Sequence, residues 1–406
     1  MKTDTFYPML TLFLLLVFLP LTIQGQKKEL GTLQQQNFLE EIHFEWRRDK
    51  IFIPVKIGDE TYQFILDTGG GLSISERIQD KFSFEQIAVA QVIGINKLSK
   101  RVPYVKVPKV RLGNLEFKNY NATVSDYARY PYDCLQVDGI IGRDFLKGLI
   151  LKLDLAQQLM TLSDAPALLP APKLEGVPLK IDRKTSLPYI RVDVQPFGKQ
   201  WVVFDSGSDD LFSFKTKIID KYREQAKFED HPLLTFFGVT ALGSSGVIPK
   251  PMAAYTTFVE SITIGQTTLN KFYADISKRS RSRVGTGLLR YGSVMVDYQA
   301  KQFYFIPTTS NQKATGMKGS IGFFPRYTEK GYIVSALQPQ SKAAKAGLQL
   351  GDRILQLNEM NLRNMEEVDH CKLYLNGYGW EDRKESRVTF LRDGKEKMIV
   401  IPQIVF

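Results

Sequence analysis

The sequence predicts a mainly β protein with two similar lobes and a smaller α+β module at its C-terminal end. Short apolar runs such as IFIPVKIG and WVVFDS recur through the first three hundred residues and are typical of strands. The plan of the segment before residue 165 is repeated after residue 178, which indicates a duplicated lobe. After residue 318 the sequence mixes strands with a short helix, which indicates a separate module.

Composition sets the boundaries of these units. The apolar run at 8–23 is short and interrupted by proline, so it predicts a cleaved signal peptide over residues 1–25, with an uncleaved membrane anchor as the alternative. A Pro/Ala-rich stretch at 163–178 and a polar stretch at 307–320 predict linkers. We therefore expect the first lobe at 26–165, the second lobe at 178–307 and the C-terminal module at 318–406.

The charge balance is strongly basic, with a formal net charge of +11. Such a charge indicates anionic surroundings without identifying a partner. The densest basic cluster, Lys278, Arg279, Arg281 and Arg283, has no interleaved aromatic residues. We interpret it as a solvated loop and expect no nucleic-acid binding.

Cysteine and histidine usage argues against a disulfide framework and against a metal centre. The two cysteines, Cys134 and Cys371, fall in different predicted domains, so hydrophobic burial is expected to hold the fold together. His43, His231 and His370 are scattered, with no metal-ligand spacing and no cysteine pair nearby. We expect no metal and no cofactor.

The repeated segments carry the chemistry of this chain. IPVKIGDETYQFILDTGGG in the first half corresponds to IRVDVQPFGKQWVVFDSGS in the second, and each ends in an Asp-Thr/Ser-Gly triplet. Downstream, DGIIGRDFL with Gly142 corresponds to VGTGLLRYG with Gly287, and a strand pair follows each. One such triplet is weak evidence, whereas two in matched contexts strongly indicate a functional pair.

Two carboxylates held on facing loops form a dyad that can activate water. Asp67 and Asp205 are the candidates, since each ends an apolar strand. Like charges this close share one proton, so one member acts as base while the other acts as acid, without metal or covalent intermediate. The predicted supporting residues fix the loops through hydroxyls or allow their close approach; they are Thr68, Gly69, Ser206, Gly207, Gly142 and Gly287.

These motifs resemble the retropepsin-like branch of the aspartic peptidases, with both lobes on one chain as in pepsin. LDTGG and FDSGS resemble the catalytic triplets, and IIGRDFL resembles the supporting segment of retroviral proteases. The resemblance covers roughly residues 45 to 306 and implies that Asp67 and Asp205 are the catalytic pair. It also implies protein or peptide substrates and a chain that is active as a monomer.

The first lobe departs from the retroviral pattern. After the triplet, the pattern has a small residue and two acids, which the second lobe has at 208–210, whereas the first lobe has Gly-Gly-Leu at 70–72. Arg143 therefore lacks its usual acidic partner within its own lobe. We hypothesise that Arg143 pairs instead with Asp209 across the lobes.

The C-terminal module resembles a PDZ domain. Its markers are the strand GYIVSAL, the helix SKAAKAG ending at Gly347, and LGDRILQLNEM. The resemblance implies an added peptide strand whose terminal carboxylate is held by backbone N–H groups. The implied loop is Ile321, Gly322, Phe323 and Phe324. A packing module that binds nothing is the alternative.

The leading interpretation is an aspartic endopeptidase that uses the PDZ module to recognise peptide termini. A catalytically inactive peptide-binding scaffold of the same fold is the main alternative, and a two-carboxylate glycosidase is a weaker one. Two hairpin-like stretches, 92–105 and 236–249, are candidate flaps over the cleft. By resemblance we expect export to the periplasm of a Gram-negative bacterium or secretion, with membrane contact only through an uncleaved N-terminal segment.

Overall fold

The computed structural model describes residues 31–93, 99–215, 217–218, 234–239, 252–277, 281–308, 311–313, 321–364, 367–378 and 383–402. In these parts of the chain no helix is both long and apolar enough to span a membrane. The predicted signal segment at 1–25 lies outside them.

The first lobe is a sheet whose strands alternate buried and exposed side chains. In the long strand β8, for example, Val105, Val107 and Val110 are buried while intervening residues are partly or fully exposed. The elements of the first half are β1 (Thr32–Leu33), β2 (Leu39–His43), β3 (Glu45–Arg47), β4 (Lys50–Ile57), β5 (Glu60–Asp67), β6 (Ser73–Ser75), α1 (Glu76–Phe82), β7 (Gln86–Ile93), β8 (Ser99–Leu112), β9 (Leu115–Ser125), α2 (Tyr132–Leu135), β10 (Gly139–Gly142), α3 (Arg143–Leu146), β11 (Ile150–Asp154) and β12 (Leu159–Ser163).

The second lobe repeats this construction. Antiparallel β14 and β15 correspond to β4 and β5, and β20 runs parallel to β15 as β10 runs parallel to β5. The elements of the second half are β13 (Val177–Ile181), β14 (Pro188–Gln195), β15 (Gly198–Phe204), β16 (Phe212–Lys215), β17 (Leu234–Val239), β18 (Met252–Ile264), β19 (Thr267–Ser277), β20 (Arg283–Val284), a 3-10 turn (Thr286–Arg290), β21 (Gly292–Asp297), β22 (Gln302–Pro307) and β23 (Asn311–Lys313).

A sheet shared by both halves joins the two lobes. Its strands run in the order β2, β12, β11, β21, β22, β13, and each neighbouring pair is antiparallel. The central contact is β11 with β21, where Leu151 lies opposite Val296. The strand pairs that the sequence repeats at 149–162 and 293–306 are therefore the elements through which the lobes meet. One apolar core cluster runs through both lobes.

The C-terminal module has its own apolar core, which includes Phe323, Tyr332 and Phe390. Its sheet meets the second lobe where Phe237 of β17 pairs with Leu337. Ser341 caps its first helix by accepting a hydrogen bond from the Ala344 backbone N–H. The elements of the module are β24 (Phe323–Thr328), β25 (Gly331–Leu337), α4 (Lys342–Lys345), β26 (Arg353–Leu357), β27 (Met360–Asn361), α5 (Glu367–Asn376), β28 (Glu385–Arg392) and β29 (Lys395–Pro402).

The two cysteines form a disulfide that links the first lobe to the C-terminal module. Cys134 lies in α2 and Cys371 in α5, and their Cα atoms are 4.9 Å apart. The expectation that no disulfide stabilises the fold was wrong. Helix α5 packs against α2, and this docking brings together two residues that are 237 positions apart in the sequence.

Candidate active site

Each Asp-hydroxyl-Gly triplet lies where a buried strand ends beside a second strand that runs parallel to it. Asp67 is the last residue of β5, which pairs with β10 in the register Asp67↔Gly142. Asp205 directly follows β15, which pairs with β20 in the register Phe204↔Val284. The two halves therefore position their carboxylates by the same local arrangement.

Crossed hydrogen bonds between the hydroxyl residues fasten the two loops together. The Thr68 backbone N–H donates to Ser206 Oγ at 2.9 Å, and the Ser206 backbone N–H donates to Thr68 Oγ1 at 3.0 Å. Each hydroxyl also donates to a carbonyl of the opposite lobe, Thr68 to Phe204 at 2.7 Å and Ser206 to Leu66 at 2.9 Å. Both residues are fully buried, so these four bonds fix the loops in a site without water competition.

The triplet glycines lie directly against the carboxylates of the opposite lobe. A Cβ on Gly69 would lie 2.7 Å from Asp205 Oδ1, and a Cβ on Gly207 would lie 2.4 Å from Asp67 Cγ. Each glycine N–H also donates to the aspartate of its own triplet, at 2.8 Å for Gly69 and 3.1 Å for Gly207. Any larger residue would push the two carboxylates apart.

The surroundings of Asp67 favour its protonated form. Burial, the nearby charge of Asp205 and a hydrogen bond with Asp205 raise the pKa of Asp67 to about 7. The Gly69 N–H and the charge of Lys50 act in the opposite direction and are smaller effects. A carboxyl group that keeps its proton near neutral pH can serve as a general acid.

The supporting glycine of the second lobe is Gly285. Gly142 is followed by Arg143, whose N–H donates to the Gly70 carbonyl, three residues after Asp67. Gly285 is followed by Thr286, whose N–H donates to the Ser208 carbonyl, three residues after Asp205. Gly142 and Gly285 are therefore equivalent. The sequence comparison that matched Gly142 with Gly287 was therefore wrong by two residues. Gly287 lies in the 3-10 turn, where a Cβ would be 2.5 Å from the Leu211 backbone N.

Arg143 forms its hydrogen bond within its own lobe and does not pair with Asp209. Its NH1 group donates to the Gly69 carbonyl at 2.6 Å. The predicted pair across the lobes is formed by another cation, since Lys50 Nζ lies 3.7 Å from Asp209 Oδ1 and donates to the Gly207 carbonyl at 2.7 Å. Lys50 thus ties the first lobe to the triplet loop of the second.

Arg283 is a site residue that sequence reasoning missed. It was assigned to a solvated basic loop, but it is 8% exposed and its NH1 group forms an ion pair with Asp205 Oδ2. Arg281 is half-buried, and residues 278–280 lie outside the described residues. The signal that could have revealed Arg283 is its position directly before the predicted supporting segment, which begins at Val284.

The first-lobe side of the dyad is apolar. A small cluster of buried residues lies around Ile140, which pairs with Ile65 two residues before Asp67. Its members are Phe52, Ile65, Tyr127, Leu135, Val137 and Ile140. This cluster and the Arg283–Asp205 pair give the two sides of the dyad opposite chemical character.

The predicted carboxylate-binding loop opens the first strand of the C-terminal module. Ile321 is buried, Gly322 has a φ of +85°, Phe323 begins β24 in the core and Phe324 is 44% exposed. Glycine suits this left-handed conformation. The structure thus places the four predicted residues together at one end of β24, far in sequence from the two triplets.

Helix α5 of the module contacts the first lobe beside this apolar cluster. Tyr374 packs against the cluster around Ile140, and Arg48 lies over the Tyr374 ring at 5.0 Å. His370 stacks on Tyr327 of β24 at 3.8 Å between ring centroids and lies 5.5 Å from the Tyr130 ring of the first lobe. The module is therefore attached to the first lobe through aromatic contacts as well as through the disulfide.

His370 does lie near a cysteine pair, contrary to the sequence interpretation. Its Nε2 atom is 3.7 Å from Cys371 Sγ, and ligand atoms of Asp133, Cys134, His370 and Cys371 lie within 4.8 Å of one another. Both sulfurs are joined in the disulfide, so they do not offer thiolates to a metal.

The candidate flaps are described in part. Strands β7 and β8 form an antiparallel hairpin in which Ile93 pairs with Ser99, and the predicted tip between them lies outside the described residues. For the second stretch, β17 is described to Val239, and residues 240–251 lie outside.

Comparisons with known proteins agree with this arrangement. Residues 53–145 match a family model described as aspartyl protease, and residues 333–370 match a model described as PDZ domain. Among solved structures, the chain is similar to the aspartic proteinase from Irpex lacteus, with 13% identity and a TM-score of 0.41 over 67% of this chain and 98% of that chain. It is also similar to a retropepsin-like aspartic protease from Rickettsia conorii, with 17% identity and a TM-score of 0.23 over 32% of this chain and 93% of that chain. These two superpositions are too weak to add an argument. No curated protein matches the chain.

The class that fold and family matches define is an aspartyl protease region joined to a PDZ domain. The predicted mainly β fold and the predicted family are thereby confirmed. Within that class, the chain carries two lobes of similar construction, the first matching the aspartyl protease model, and the PDZ match lies C-terminal to both.

Proposed function

We propose that this protein is an aspartic endopeptidase that hydrolyses peptide bonds with the Asp67/Asp205 dyad. The observation that supports this best is the set of crossed hydrogen bonds between Thr68 and Ser206, which holds the two carboxylates against each other. The same bonds keep each triplet glycine against the opposite carboxylate, at a separation at which two carboxyl groups share a proton.

The surroundings of the two carboxylates assign their roles. Asp205 is in an ion pair with Arg283, so it carries the negative charge of the dyad, whereas Asp67 carries the shared proton. Asp205 takes a proton from a water whose oxygen bonds to the peptide carbonyl carbon, and Asp67 gives its proton to the carbonyl oxygen. Asp205 then returns its proton to the peptide nitrogen, and the C–N bond breaks as Asp67 recovers its proton.

The PDZ domain is proposed to bind peptide C-termini through Ile321, Gly322, Phe323 and Phe324. Its covalent attachment to the first lobe would keep a bound peptide near the catalytic domain. The disulfide also suits an oxidising compartment, which supports export by the N-terminal segment to the periplasm or outside the cell.

Digestion of an unstructured peptide library across pH 4 to 8 tests the proposed activity. Wild type is expected to cleave, and the Asp67→Asn, Asp205→Asn double variant is expected to be inactive. Asp59→Asn is the matched control, because Asp59 is an exposed carboxylate in the turn before β5. Carbohydrate turnover in place of peptide cleavage would favour a glycosidase.

Absence of cleavage by a folded wild-type sample, with peptide binding retained, would favour the inactive scaffold. Cleavage that persists in the double variant would show that another centre, or a contaminant, is responsible. Melting curves of both variants establish that the substitutions leave the protein folded.

A further inference from the structure

Arg283 occupies the position of the second lobe that Ile140 occupies in the first. Ile140 pairs with Ile65, two residues before Asp67, and Arg283 pairs with Val203, two residues before Asp205. Both side chains therefore stand beside a dyad carboxylate, on opposite sides of the cleft. At this position of the two pseudo-symmetric lobes, the apolar residue of the first lobe is replaced by a charged residue in the second.

The guanidinium of Arg283 has hydrogen-bonding capacity that the described residues leave unused. Its side chain is 10% exposed, and its single carboxylate partner among the described residues is Asp205. The buried Nε atom has no hydrogen-bond partner there. Arginine presents five N–H donors that match a carboxylate in two parallel bonds, so one carboxylate does not exhaust it.

The reaction itself changes the charge next to Arg283. When Asp205 accepts the proton of the attacking water, the counter-charge of the buried guanidinium disappears. A buried cation without a partner is unfavourable, so a second carboxylate beside Arg283 stabilises the transition state more than the ground state. A substrate can supply that carboxylate from the residue on the second-lobe side of the scissile bond.

We propose that Arg283 forms a subsite for an acidic substrate side chain, opposite the apolar subsite around Ile140. This inference rests on the proposed peptidase function and specifies its substrate class. The preferred cleavage site is then a peptide bond with an apolar residue on the first-lobe side and Glu or Asp on the second-lobe side.

Matched peptides that differ in a single residue next to the scissile bond test this subsite. Peptides with Glu, Gln or Leu at that residue are compared at pH 6, where a free Glu is ionised. Wild type is expected to cleave the Glu peptide with a kcat/KM about tenfold or more above that of the Gln peptide. The free energy of a hydrogen bond to a charged group corresponds to a ratio of that size. Most of the difference should appear in kcat.

Substitution of Arg283 separates specificity from a structural role. Arg283→Ile introduces the residue type that the first lobe has at the equivalent position 140. It is expected to abolish the preference for Glu and to favour Leu, whereas Arg283→Lys should retain part of the Glu preference. Equal cleavage of the Glu and Gln peptides by wild type would overturn the proposal. A drop in Arg283→Ile by one common factor for all three peptides would also overturn it, because it would show that Arg283 acts only on Asp205.

A binding measurement keeps this inference distinct from the catalytic one. In the full-length Asp67→Asn variant, the Glu peptide is expected to bind about two- to threefold more tightly than the Gln peptide, because most of the preference arises in the transition state, and adding Arg283→Ile should remove the difference. If wild type cleaves no peptide but this difference is present, the peptidase proposal fails and the acidic subsite stands. Equal binding of both peptides, together with cleavage by wild type that ignores the charge, refutes the subsite alone.

Discussion

Thr68→Val should strongly destabilise the protein, although the two side chains have nearly the same shape. Valine has nearly the shape of threonine but lacks the hydroxyl, so the Ser206 N–H and the Phe204 carbonyl lose their partners at 3.0 and 2.7 Å. Each buried polar group left without a partner costs about 1–3 kcal/mol. We expect the free energy of unfolding to fall by about 4 kcal/mol, and the melting temperature by about 8–16 °C for a domain of this size.

Thermal unfolding followed by circular dichroism measures this shift. Thr61→Val in β5, the strand that leads to Thr68, is the matched control, because Thr61 is exposed and its substitution removes no buried partner. The control is expected to change the melting temperature by no more than about 2 °C. If the two variants melt within that margin of each other, the crossed hydrogen bonds do not stabilise the lobes as argued.

Three further outcomes follow from the same contacts. The pKa of Asp67 is raised to about 7 from an ordinary value of 3.8, so its contribution to stability is complete below pH 4 and is lost as pH rises to 7. The urea concentration needed to unfold wild type should therefore fall between pH 4 and 7, and Asp67→Asn should remove that part of the pH dependence; an unchanged pH dependence would contradict the assignment. Cys371→Ser removes the disulfide between residues 237 positions apart and should lower the melting temperature, since loss of this bond reduces the free energy of unfolding by up to about 5 kcal/mol. Dithiothreitol should destabilise wild type and leave that variant unaffected. Gly207→Ala brings a methyl group to 2.4 Å from Asp67 Cγ and should lower peptide cleavage by about 100-fold or more; near-normal kinetics would show that the loops can separate without loss.

The two triplets were predictable because their evidence is local and occurs twice. Each lies at the end of an apolar run, and the repeat of the whole lobe places them in equivalent positions. The chemistry of the hydroxyls and glycines follows from their residue types. No long-range information was needed to assign Thr68 and Ser206 to the contact between the loops.

The errors concern residues whose environment depends on distant parts of the chain. Arg283 resembles its basic neighbours in sequence, and its burial depends on a carboxylate 78 residues away. The Cys134–Cys371 bond depends on the docking of α5 against α2, which no local pattern encodes. Gly285 and Gly287 are two residues apart in VGTG, and only the register of β20 shows which one is equivalent to Gly142.

The shared sheet makes neither half of the molecule a self-sufficient folding unit. Each half contributes three consecutive strands of that sheet, and separating the halves would expose the backbone of β11 or β21 as an unpaired edge. Since β12 ends at Ser163 and β13 begins at Val177, a chain break between them cuts no strand. Two fragments made separately should therefore aggregate alone and reconstitute a soluble complex when co-expressed, with recombination at the β11–β21 edge restoring both carboxylates to one centre.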